Sequence, residues 1–73
     1  MIRRKLNRNI YELDAIQSVI TLYSNYCRTK LSRSGRYFII DISDCIYDEN
    51  RTMDEFCNAA LIETIQRKGS LYD

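Results

Sequence analysis

The stretch that decides the fold is "YCRTKLSRSGRYFIIDIS", residues 26–43. Two runs flank the short turn "RSGR", in which Gly35 is free to take a positive φ. Before the turn, Cys27, Thr29 and Leu31 share one parity and Arg28 and Lys30 the other. After it, Phe38, Ile40 and Ile42 fall on one side, and Tyr37, Ile39 and Asp41 on the other. Side chains alternate across a strand, so the pattern predicts a β-hairpin with Phe38, Ile40 and Ile42 turned toward a core. Its second strand is the strongest in the chain, because β-branched and aromatic residues fill it.

Upstream, residues 13–26 read as a helix. Ile16, Val19, Ile20, Tyr23 and Cys27 recur at i, i+3, i+4 and i+7 spacing. Two capping boxes compete for its start, Asn9 with Glu12 and Asp14 with Gln17. Residues 2–11, "IRRKLNRNIY", place Ile2, Leu6 and Ile10 at one parity, shared with Arg4 and Arg8. That impure alternation predicts an edge strand, where charge discourages aggregation. Downstream, "DCIYDENR" is a polar connection in which Ile46 and Tyr47 are expected to cover one end of the core. "TMDE", residues 52–55, reads as a capping box with Thr52 as the cap and Glu55 three residues later. Asp54 and Glu55 suit the positive start of a helix, Arg67 and Lys68 its end, and Gly69 stands at the expected C′ position. On the helical wheel Met53, Phe56, Cys57, Ala60, Leu61 and Thr64 form one stripe, while Asn58 falls outside it.

The order is therefore β-α-β-β-α. The expected fold is a small α+β domain over residues 1–73, with a three-stranded antiparallel sheet and two helices on one face. Phe38, Ile40, Ile42, Ile16, Ile20, Tyr23, Phe56, Ala60 and Leu61 are the expected core. A chain of 73 residues buries a modest core, which favours a supporting partner.

Composition narrows the chemistry. Cys27, Cys45 and Cys57 are 18 and 12 residues apart and there is no histidine, so no zinc-ligand spacing exists. The thiols read as reduced, partly buried small hydrophobes. No apolar run approaches the ~20 residues of a membrane helix, and the basic N-terminus is followed by no apolar segment of signal-peptide type. A cytoplasmic protein is expected, without membrane contact. Charge is unevenly spread: residues 1–36 carry eight bases against two acids, and residues 37–73 carry three bases against eight acids. Such asymmetry marks either a surface for an anionic partner or two halves that neutralise each other in the fold or a dimer.

No nucleophile–base pair, glycine-rich phosphate loop or metal spacing is present, so no catalytic residue, metal or cofactor is assigned. Asp41, Asp44 and Asp48 lack the spacing of a calcium loop and read as a solvated acidic rim. Cys57 faces the core stripe and Asn58 faces away, so they do not converge as a catalytic pair. The chemistry left is recognition. Arg28, Lys30 and Arg36 would attract the acidic side chains of an extended peptide, with Tyr37 and Ile39 offering apolar contact. Ile62 and Ile65 widen the apolar area of the last helix beyond its core stripe, Asn58 beside them is a further partner-binding candidate, and exposed Ile62 and Ile65 with Tyr37 and Ile39 predict a homodimer or an obligate heteromer. The other reading is a nucleic-acid-binding or antitoxin-like regulator, with Tyr26 and Tyr37 stacking on bases between basic residues. A near-neutral isoelectric point of about 7.7 weighs against it.

With "IYELDAI" at residues 10–16, the hairpin at 26–43 and "DEFCNAALIETIQRK" at 54–68, the chain resembles the HxsD proteins of His-Xaa-Ser peptide-maturation systems. The residues that carry the resemblance are Tyr11, Ala15 and Ile16 at the opening of the first helix, and Glu55, Phe56, Asn58 and Leu61 in the last. Arg67 stands for a basic residue late in that helix. The resemblance implies a small non-catalytic accessory protein. Its partners would be a ribosomally made peptide or the radical SAM enzyme that modifies it.

Overall fold

Ser34 and Tyr37 are the last paired residues of the hairpin, leaving Gly35 and Arg36 as a two-residue loop. Gly35 has φ +58° and Arg36 does not share the positive sign. That is the pattern of a type II′ turn, whose twist matches the strands it joins. In the computed structural model, which describes residues 1–69, the hairpin strands are β2 (Arg28–Ser34) and β3 (Tyr37–Ser43). They follow β1 (Ile2–Asn7) and α1 (Leu13–Leu22), and α2 (Glu49–Gly69) comes last. The sheet order is β1-β3-β2, with β3 antiparallel to both neighbours. β1 and β2 therefore run parallel with β3 inserted between them, and α1 is the crossover of a split β-α-β unit.

The expected register holds. Phe38, Ile40 and Ile42 are buried against Ile16 and Val19 of α1 and Met53, Phe56 and Ala60 of α2, while Tyr37 is exposed and Ile39 half-buried. Both helices thus cover one sheet face, the α+β arrangement anticipated. Ile20, Tyr23 and Leu61 reach only partial burial, and Leu6, Cys27 and Cys57 complete the core. Tyr23 closes one end by meeting Phe56 edge-on, with centroids 5.7 Å apart. Cys27, Cys45 and Cys57 are free thiols.

Five local expectations are corrected. β1 stops at Asn7, because its carbonyl accepts the N–H groups of Ile10 and Tyr11 in a turn, which leaves Ile10 exposed. Neither capping box starts α1. Glu12 is its N-cap without a side-chain bond, and the Glu12 N–H donates to Thr64 Oγ1 at 3.1 Å. α1 also ends at Leu22, where Ser24 turns back on the Thr21 carbonyl with both its N–H and its hydroxyl. α2 begins a turn before Thr52. Asp48 Oδ2 accepts the Arg51 N–H at 2.9 Å, the N-cap to N3 bond, while the Thr52 hydroxyl bonds inward to the Asp48 carbonyl at 2.8 Å. Ile46 and Tyr47 do not lid the core, since they are 66% and 64% exposed. The sequence "DENR" supplied an earlier cap than "TMDE", and that earlier start leaves Ile46 and Tyr47 in the loop.

Candidate functional site on the open sheet face

The sheet face opposite the helices is covered by nothing else among the described residues. Register places three cross-strand rows on it: Arg3–Asp41–Lys30, Lys5–Ile39–Ser32 and Asn7–Tyr37–Ser34. Arg28 extends the face at one end, opposite Ser43. Arg36 lies in the turn at the other end, where its carbonyl accepts the Arg8 N–H at 2.9 Å.

Electrostatically this face is basic with one answered acid. Arg3 grips Asp41 with both Nε (2.7 Å) and Nη2 (3.1 Å). The Asp41 side chain is only 8% exposed, though it points to the open side, because Arg3 lies over it. The hydrogen bonds from Arg3 hold its carboxyl below the usual aspartate range against the opposing effect of desolvation, helped by the charges of Arg3 and Lys30. The expectation of a solvated acidic rim is corrected for Asp41, which is clamped, and holds for Asp44 and Asp48, which are exposed, Asp48 also capping α2 and Asp44 standing at φ 52°. Arg28 Nε stands 3.8 Å from Asp44 Oδ2 with both side chains highly exposed, a contact of little strength. Lys5 hangs over the Tyr37 ring, with Nζ 5.7 Å from the centroid.

The face borders an open edge. Among the described residues, β2 pairs with β3 alone. The Arg8–Arg36 bond fixes the alternation: even-numbered β3 residues turn their main chain to β1, and odd-numbered ones to β2. The main-chain groups of Thr29, Leu31 and Arg33 therefore point outward along β2, free to pair with an added strand.

Of the residues singled out from sequence, Lys30, Tyr37 and Ile39 lie on this face, with Arg28 at one end of it and Arg36 in the turn at the other. Asn58, Ile62 and Ile65 do not. They lie on the side of α2 turned away from the core, with Ile62 48% and Ile65 58% exposed. Arg3 and Lys5 belong to the face but were not singled out, because the β1 parity signal was blurred by Arg4. Arg4 lies on the helix side, where it reaches Asp54 at 2.9 Å.

No family model matches this chain, and no curated protein or solved structure shows significant similarity to it. No helix among the described residues is long and apolar enough to cross a membrane.

Proposed function

We propose that this protein is a small recognition module that binds an extended, acidic peptide segment on the open sheet face and along the β2 edge. The observation that supports this most is that Arg28, Lys30 and Lys5 share one sheet face with Tyr37 and Ile39, beside a β2 edge unpaired among the described residues. Outward N–H and C=O groups on β2 supply main-chain pairing to any extended segment, and the basic side chains select for acid. This function assigns no catalytic step to the chain. The resemblance noted above makes the peptide a ribosomally made precursor, or a segment of the radical SAM enzyme that matures it, met in the cytoplasm. Ile62 and Ile65 on the far side of the molecule leave a second surface for a homodimer contact or for that enzyme.

The nucleic-acid reading draws on the same basic face but has fewer rings there. Tyr26 belongs to the helix side, where it meets Tyr23 and Tyr47, so Tyr37 is the one aromatic ring of the face among the described residues. Amide-resolved NMR titration with a blocked, alternating Glu–Val octapeptide separates the two. Shifts are expected at Thr29, Leu31, Tyr37 and Ile39. No response to the octapeptide, together with a strong response of the same amides to oligouridylate, would overturn the peptide reading.

A further inference from the structure

A groove on the helix side carries a different chemistry. It is lined by Leu22, Tyr23, Tyr26, Tyr47, Thr52 and Glu55 and has a volume of about 470 Å³. Three tyrosines reach it from three places: the end of α1, the approach to β2 and the loop before α2. Tyr26 meets Tyr23 edge-on at 6.1 Å and 73°, and lies 6.2 Å from Tyr47 at 36°. Tyr23 is anchored on Phe56, but Tyr26 is 46% and Tyr47 64% exposed, so ring surface is left open to the groove. Glu55 supplies a carboxylate at the rim. Burial, followed by the Glu55 charge, pushes the Tyr23 phenol up.

We infer that this groove is a separate binding site for a guanidinium, the side chain of an arginine presented by a partner polypeptide. A flat, weakly hydrated cation stacks on tyrosine faces and forks onto a carboxylate, and both elements are present. One guanidinium of the chain already stands at the rim. Arg51 places its Nε 3.3 Å from Glu55 Oε1, and it lines the adjoining hollow with Tyr47, Asp48 and Thr52. Arg51 is 80% exposed at the side chain, so it is a weakly held occupant of the rim rather than a plug. An incoming arginine would compete with it for Glu55. The site is independent of the sheet face and stands whether or not that face binds peptide.

The test uses N-acetyl-arginine N-methylamide as probe and the neutral citrulline analogue as control, followed by the ring-proton resonances of Tyr23, Tyr26 and Tyr47. The expected result is a saturable shift with the arginine probe and none with citrulline. Tyr47→Ala and Glu55→Gln should each weaken binding about threefold to fivefold, the range of an exposed cation–π or ion-pair contact. Arg51→Ala should tighten it by freeing Glu55. Unchanged amide shifts in the sheet confirm that each variant is folded. Equal responses to arginine and citrulline, no saturable shift, or wild-type affinity in both Tyr47→Ala and Glu55→Gln would overturn the assignment.

Discussion

Asp41 is the residue at which parity misleads. Its place in β3 turns it to the open face, yet it is buried there, because Arg3 from a strand 38 positions away folds over it. No local pattern holds that information. The pair has a pH signature. The folded carboxyl titrates below its unfolded value, so its stabilising contribution is fully present above about pH 4 and lost as pH falls through the lower folded value. Asp41→Asn should therefore lower the urea midpoint at neutral pH, and the gap to wild type should close in strong acid; a gap that persists unchanged would refute the clamp. Thr64 is buried where the helical stripe places it. A buried threonine on the core stripe is explained by its two bonds: its hydroxyl donates to the Ala60 carbonyl at 2.8 Å and accepts the Glu12 N–H at 3.1 Å. Thr64→Val keeps the shape but strands that N–H, for an expected loss of about 1–2 kcal/mol in chemical denaturation.

At the scale of elements, the hairpin was legible and the helix starts were not. A strand with period two needs only its own residues to declare its faces, and Phe38, Ile40 and Ile42 did so. A cap depends on which of several polar residues the preceding turn delivers. "TMDE" matches the capping-box pattern, yet the chain caps the helix with Asp48, from the run that reads as a polar connection. Asp48→Ala should cost about 1 kcal/mol of unfolding free energy, the usual worth of an N-cap side chain. The turn makes a matching prediction. Gly35 is at φ +58°, and no neighbouring atom of the described residues lies within 4 Å of the place a Cβ would occupy, so a substitution there meets a conformational penalty and no clash with them. Gly35→Ala should lose about 1–2 kcal/mol, and Gly35→Asn should recover part of it, since asparagine tolerates the left-handed region better. Thermal or urea melts of the two variants check the order.

At the scale of the whole molecule, the fold sorts the charge that the sequence divides between its halves. Both helices gather on one side of the sheet and leave a basic face, an open β2 edge and, on the far side, the exposed Ile62 and Ile65. The basic half of the sequence was visible at once; that Arg3, Lys5, Arg28 and Lys30 share one surface required the β1–β3–β2 order, which single-strand patterns do not contain. The most direct measurement is the affinity of the acidic Glu–Val octapeptide for wild type and for the double variant Arg28→Glu/Lys30→Glu, at low and at physiological salt. The expected result is a loss of about tenfold or more in the variant at low salt, with a weaker salt dependence and an unfolding free energy within about 0.5 kcal/mol of wild type. Equal affinity of the two proteins for the peptide, with tight binding of oligouridylate by wild type, would contradict the proposal that this face recognises peptide.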